Sequence, residues 1–287
     1  MDREVSVVDA AGSSPDPVMR VAGLRVTFAT DHGPVVAVDG VDLDLYPGRI
    51  HALVGESGSG KSVSGSTMMG LTHGPGTTIE GSVEFGGLNL LGAEEKTMRR
   101  LRGRDLSMVF QDPMRSLNPM HRVGRQIAET LEVNAGLSRR EAADRAVEML
   151  AAVGIRDPKK AARSYPHEFS GGMRQRVMIA IALACEPRVL VADEPTTALD
   201  VTIQAQILTL IAEMARSMNT AVLLITHDLG VVGKYADTVS VMNRGKILEY
   251  GNCAAVLQNP QDPYTKRLMA AIPRLRGPKR KFLSAST

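Results

Sequence analysis

Ile50-His51-Ala52-Leu53-Val54-Gly55-Glu56-Ser57-Gly58-Ser59-Gly60-Lys61-Ser62 is the stretch that decides the fold of this chain. Its first five residues read as a short buried strand, and the run from Lys61 to Leu71 can start a helix. A strand, a glycine-rich loop ending in Gly-Lys-Ser, and a helix, in that order, make a phosphate loop inside an α/β sheet. The glycines at 55, 58 and 60 let the backbone N–H groups from Gly55 to Ser62 turn inward around phosphate oxygens, reinforced by the positive end of the following helix. Lys61 would reach the β and γ phosphates of a nucleotide, and the Ser62 hydroxyl would ligate Mg²⁺. An ordinary Gly/Ser turn explains the glycines but not this ordering.

Two further strand ends supply chemistry to the loop. Val189-Leu190-Val191-Ala192 is apolar throughout, as in a parallel strand covered on both faces, and it ends at Asp193-Glu194. Open α/β sheets keep their ligands at such strand ends. Asp193 would hold Mg²⁺ through water, and Glu194 would act as general base toward an attacking water. Taken alone, an acidic pair after an apolar run is a weak signal. Ala221 to Ile225 is another apolar strand and delivers His227 to the same edge, where it would sense the γ-phosphate. Ile203, Ile207, Leu210, Ile211 and Met214 recur at helical spacing, and that face is core.

Together these residues resemble the ATP-binding cassette (ABC) family, the ATPase subunits of ABC transporters, and the resemblance runs from about residue 21 to residue 260. It implies a P-loop ATPase core with an antiparallel β subdomain and an inserted α-helical subdomain. It makes Gly55 to Ser62 the Walker A loop, Asp193 and Glu194 Walker B, and His227 the switch histidine. By the same resemblance Gln111 is the Q-loop glutamine beside Mg²⁺, Asp200 closes the D-loop, and Phe28 stacks on adenine. Ser170, Gly171 and Gly172 belong to the signature that covers the γ-phosphate bound by a facing subunit, so that ATP is shared between two chains. Phe169 and Met173 stand where the signature ordinarily has Leu and Gln, and Phe28 where Tyr is commoner. Neither change touches the groups that donate to phosphate.

The run from Ser164 to Ala180, the stretch from Gln111 to Met120, and Asn259-Pro260-Gln261-Asp262-Pro263-Tyr264-Thr265 are similar to the oligopeptide and dipeptide importer subfamily. That likeness implies two transmembrane permease subunits, a second ATPase subunit, identical or homologous, and an extracytoplasmic solute-binding protein. It places the chain peripherally, on the cytoplasmic face of the cell membrane. Another solute such as nickel is the alternative within the subfamily. Some relatives hold an iron–sulfur cluster in the C-terminal extension, but two cysteines, Cys185 and Cys253, cannot supply four thiolates.

Composition agrees. The chain has 287 residues, 44% hydrophobic and 23% charged, enough for a sizeable core. No apolar run approaches the ~20 residues that span a bilayer. The first 19 residues carry Asp2, Glu4, Asp9 and Asp16 without a signal-peptide pattern and read as a flexible leader. The net charge is +3, yet Arg274, Arg276, Lys279, Arg280 and Lys281 form a tail with no acid, leaving the body near neutral. That tail reads as a solvated end rather than a lipid anchor. Aromatics are 3% and Trp is absent, so stacking platforms for nucleic acid are scarce and no nucleic-acid partner is expected.

The expected organisation is a leader at 1–19, an ATPase domain at 20–257 with helices from about 112 to 186, and a C-terminal extension at 258–287. One helix is expected over 139–151, with Ala143, Val147 and Leu150 on its inner face. No repeat of 20 to 50 residues occurs, so this is one cassette. A soluble ABC ATPase working on DNA or ribosomes would need a long coiled coil or a second cassette. A non-catalytic cassette would be expected to lack Glu194 or His227. The importer ATPase is the reading that remains.

Overall fold

The computed structural model describes residues 16–197 and 199–271. The chain opens with two long strands, β1 (Met19–Thr30) and β2 (Gly33–Leu45), then β3 (Ile50–Val54), helix α1 (Lys61–Met68), β4 (Thr77–Phe85) and the short β5 (Leu88–Asn89). Helix α2 (Glu95–Leu101) leads to β6 (Leu106–Val109), and a helical stretch follows: α3 (Pro113–Ser116), α4 (Val123–Asn134), α5 (Arg139–Ala152), α6 (Pro158–Ala161) and α7 (Gly171–Leu183). The remainder alternates: β7 (Val189–Asp193), α8 (Val201–Ser217), β8 (Ala221–Thr226), α9 (Leu229–Tyr235), β9 (Thr238–Asn243), β10 (Lys246–Asn252), α10 (Cys253–Gln258) and α11 (Pro263–Ala270).

Two sheets result. The smaller is antiparallel, in the order β2-β1-β4-β5. Leu24 and Val26 of β1 point into the core while Arg25 between them is exposed, the alternation of a half-buried strand. The larger sheet has the order β10-β9-β3-β8-β7-β6, parallel from β9 to β6, with β10 antiparallel at the edge. Its central strands β3, β7 and β8 are buried at every position, as continuous apolar runs require when both faces are covered. In register, Val54 lies beside Thr226 and Val241, and Asp193 beside Ile225. The C-terminal ends of β3, β7 and β8 therefore emerge together, and the segments that leave them carry Gly55, Glu194 and His227 to one edge.

Three apolar clusters hold this arrangement. One joins the antiparallel strands to one face of the large sheet through Leu24, Leu53, Met68 and Ile225. The second packs the helices α4, α5, α7 and α8 on the other face, with Ile127, Leu150, Val177 and Ile211 at its centre. The third seats α9, α10 and α11 beside β3 and β9 through Ala52, Val54, Val232, Val256 and Tyr264.

Two expectations are corrected. The inner face of α5 is Ala142, Ala146, Met149 and Leu150, whereas Ala143 is exposed and Val147 half-buried. The helix is turned by about one residue from the expected phase, which buries the large Met149 beside Leu150 in the cluster shared with α4 and α7. Met19, assigned to the leader, is fully buried in β1 opposite Leu45 and Phe85. The rest of the leader up to residue 15, and the basic tail at 274–281, lie outside the described residues.

Candidate functional site

A cavity of about 660 Å³ opens at the strand ends and is lined by Gly55, Glu56, Ser57, Gly58, Gly60, Lys61, Ser62, Gln111, Glu194 and His227. Close backbone approach explains two of its glycines. A Cβ on Gly55 would stand 2.1 Å from the Met242 carbonyl oxygen, and one on Gly60, at φ 106°, would stand 2.3 Å from the Ala37 oxygen. The loop is thus wedged between β9 and β2 with no room for side chains there. Helix α1 begins at Lys61 with Gly60 as its N-cap, so its first-turn N–H groups lack partners within the helix.

Lys61 curls back into the loop. Its Nζ donates to the carbonyl oxygens of Gly55 and Glu56, both at 2.8 Å, and to Ser59 Oγ at 3.3 Å. Burial pushes the Lys61 ammonium below its ordinary pKa, and the carboxylates of Glu194 and Asp193 partly offset this. Ser62 Oγ donates to Asp193 Oδ1 at 2.8 Å, joining the loop to the end of β7. Burial raises the Asp193 pKa despite that bond.

Glu194 is the most constrained group in the cavity. Thr197 Oγ1 donates to its Oε2 at 2.8 Å, Gln111 Nε2 reaches the same oxygen at 3.1 Å, and His227 Nδ1 lies 3.2 Å from Oε1. Burial pushes the carboxyl up, but the bonds from Thr197 and His227 outweigh it together with the charges of His227 and Lys61. Its pKa therefore lies below the ordinary carboxylate value. A carboxylate that is ionised, fixed by three side chains and set in the lining of the same cavity as the phosphate loop is placed to take a proton from water.

The remaining expected site residues lie elsewhere in the chain. Phe28 is half-buried and lines a neighbouring hollow with Ser62, Val63, Ser66, Leu71 and Thr77, so the two spaces meet at Ser62 and Val63. Ser170 caps α7, its Oγ accepting the Met173 N–H at 3.4 Å, and with Gly171 and Gly172 it stays outside the cavity lining. Gly172 is also needed locally, since a Cβ there would meet Ile203 Cγ2 of α8 at 2.7 Å. Asp200 caps α8 by accepting the N–H groups of Thr202 and Ile203. Partners that were not expected include Ala37, Val63 and Leu268 in the lining, Thr197, and Tyr264, whose hydroxyl accepts the Glu56 N–H. Thr197 was open to inference from its place three residues after Glu194. The Glu56 to Tyr264 contact spans 208 residues, and no local pattern announces it.

Among the described residues no group of three or more His, Cys, Asp or Glu could hold a metal. The oxygen pair Ser62 and Asp193, facing the loop, fits a hard divalent cation that keeps waters and shares phosphate oxygens with its substrate. The free thiols are Cys185, half-buried, and Cys253, buried and pushed up to about 11 chiefly by burial. No helix among the described residues is long and apolar enough to cross a membrane.

Comparison with known proteins follows the same lines. Residues 38–197 match the ABC transporter family, and residues 248–286 match the oligopeptide/dipeptide transporter C-terminal region. The oligopeptide transport ATP-binding protein OppD of Salmonella typhimurium is 49% identical over 94% of this chain and 82% of its own. The dipeptide transport ATP-binding protein DppD of Bacillus subtilis is 50% identical over 91% of this chain and 78% of its own. Among solved structures, cbiO1 from Clostridium perfringens, part of the transporter complex cbiONQ, superposes with a TM-score of 0.71 at 27% identity, covering 85% of this chain and 92% of its own. The ATP-binding cassette MJ0796, solved as a dimer bound to ADP and Pi, has a TM-score of 0.73 at 24% identity, covering 82% and 98%, and speaks for the fold.

Proposed function

The chain belongs to the ABC transporter family and is an ATPase, and from that premise we propose that it hydrolyses ATP to power import of oligopeptides or dipeptides. The observation that carries the peptide reading is the match of residues 248–286 to the C-terminal region of oligopeptide and dipeptide transporters. In this reading the chain sits on the cytoplasmic face of the membrane with two permease subunits and a second ATPase subunit. An extracytoplasmic binding protein delivers the peptide.

The residue roles follow from the cavity. Amides of the loop from Gly55 to Ser62 and the Lys61 ammonium hold the β and γ phosphates, while Phe28 stacks on adenine in the adjoining hollow. Ser62, with Asp193 and Gln111 around it, would hold Mg²⁺, which when bound supplies positive charge against the phosphate oxygens. Glu194 accepts a proton from the attacking water, and His227 at its other oxygen senses the γ-phosphate. Ser170, Gly171 and Gly172 lie away from their own chain's cavity, on an exposed helix start, and cover the γ-phosphate of the facing subunit, with Asp200 beside them. Loss of that phosphate removes the differential contact that favours the closed pair. Gln111, bonded to Glu194 and leading into the helical stretch, passes the change to the permeases.

Reconstitution tests the proposal. The chain, its permease pair, its partner ATPase and its binding protein are assembled in proteoliposomes, and ATP turnover is measured with peptide uptake. Peptide-loaded binding protein should raise turnover several-fold and Lys61→Ala should remove both signals. Stimulation by nickel or another non-peptide solute, with none by peptides, would overturn the peptide reading.

A further inference from the structure

Helix α11 follows the last strand and would ordinarily be read as an appendage to the sheet. Its contacts say otherwise. The Tyr264 ring is buried in the same cluster as Ala52 and Val54, the residues of β3 that lead into the phosphate loop. Its hydroxyl accepts the Glu56 N–H at 3.3 Å. That N–H shares its peptide plane with the Gly55 carbonyl, which receives Lys61 Nζ at 2.8 Å, and the Glu56 carbonyl that follows receives Ser59 N–H at 3.2 Å and Lys61 Nζ at 2.8 Å. One turn further along α11, Leu268 lines the cavity itself.

The helix is anchored well enough to act as a fixed support. Asp262 Oδ1 caps it by accepting the N–H groups of Tyr264 and Thr265. The Glu249 carboxylate of β10 accepts the N–H groups of Gln261, at 2.7 Å, and Asp262, at 3.2 Å. A trans peptide has its C=O and N–H on opposite sides of one plane, so holding the Glu56 N–H toward Tyr264 fixes the opposite direction of the Gly55 carbonyl, which accepts Lys61 Nζ.

We propose that Tyr264 is a positioning residue of the ATP site: its hydroxyl orients the Gly55–Glu56 peptide, and through the Gly55 carbonyl the phosphate loop and Lys61, so that the C-terminal element tunes nucleotide affinity. The inference rests on the reading that Gly55 to Ser62 binds ATP. A preorganised loop gives up less conformational freedom when the phosphates arrive, and a loosened one gives up more. The effect therefore belongs in binding and not in the chemical step.

Tyr264→Phe removes the hydroxyl and keeps the ring that packs on β3. Binding of ATP with Mg²⁺ is titrated for the wild-type chain, for Tyr264→Phe and for Lys61→Ala, and kcat and KM are measured on the assembled transporter. For one hydrogen bond lost, Kd and KM should rise roughly two- to tenfold in Tyr264→Phe with kcat changed less than about twofold. The Glu56 amide should also exchange with solvent faster than in the wild type. Wild-type affinity and unchanged Glu56 exchange in Tyr264→Phe would leave Tyr264 as packing alone and overturn the proposal. An equal loss in kcat with KM unmoved would overturn it too. If the wild type and Lys61→Ala bound ATP equally, the reading of the loop itself would fail instead.

Discussion

Glu194 carries an unusual backbone for a non-glycine residue, with φ at 44°. Left-handed geometry costs about 1–3 kcal/mol at such a position and persists only where the surroundings impose it. Here the Glu194 N–H donates to the Ile225 carbonyl at 2.9 Å and its own carbonyl accepts the Thr197 N–H, so the turn closes immediately after β7 and throws the side chain into the cavity. The strain and the three side-chain partners serve one carboxylate, which is why a substitution of charge without shape is the informative one. Glu194→Gln keeps an oxygen for Thr197 and Gln111 but cannot take a proton from water. Hydrolysis should slow by roughly 10²–10⁴-fold while ATP binding stays nearly unchanged. Turnover and ATP-dependent sedimentation, measured on the same preparation, check this: slow turnover with a persistent closed dimer is expected. Near-normal turnover would take the general-base role away from Glu194.

At the scale of elements, the runs Ile50–Val54, Val189–Ala192 and Ala221–Ile225 were legible because a strand covered on both faces is built almost wholly of apolar residues, His51 being the exception. The helix at 139–151 was legible in extent, with its Ser138 and Glu141 capping box observed, but not in phase. Three alanines and a valine at helical spacing, 142 or 143, 146 or 147, give nearly equal claims to the core, and only the neighbours α4 and α7 decide. The signature glycines show a similar limit: a phosphate role was readable, whereas the contact of Gly172 with Ile203 depends on how α7 crosses α8. Strand β3 hides a further element-scale feature in His51, 3% exposed, with Nδ1 2.8 Å from Thr238 Oγ1 and Nε2 3.0 Å from Ser240 Oγ of β9. Burial lowers its pKa to about 4 from the ordinary 6.5. The unfolded chain therefore takes up this proton first as pH falls. The neutral ring's contribution is present above about pH 6.5 and is lost progressively as pH drops through 4. The loss is on the order of 3 kcal/mol, at the strand that carries the phosphate loop. Denaturant unfolding between pH 7 and 4 should show this slope, and His51→Asn should flatten it. An identical slope in the variant would mean that other groups govern acid stability.

At the scale of the molecule, one chain lines the cavity with the phosphate loop, Gln111, Glu194 and His227, whereas Ser170, Gly171 and Gly172 at the start of α7 lie outside that lining. In the shared-site arrangement Lys61 of one subunit and Ser170 of the other serve the same nucleotide, and lesions on different chains need not have additive effects. Ser170→Arg places a bulky cation at the α7 start and should leave ATP binding in its own chain intact, because Ser170 is not part of that cavity. Lys61→Ala removes phosphate binding from its own chain. When the two changes are divided between the subunits of a differently tagged, doubly purified pair, both fall on one composite site and the other keeps an intact Lys61 and an intact Ser170. When both are placed on one chain beside an unaltered partner, each composite site carries a lesion. Residual hydrolysis should then be several-fold higher for the divided arrangement than for the combined one, provided one intact site turns over alone, and single-chain Ser170→Arg should still bind ATP. If both pairs assemble to the same extent and hydrolyse ATP at the same rate, each chain is completing its own active site. In that case the Ser170-Gly171-Gly172 turn would need another role.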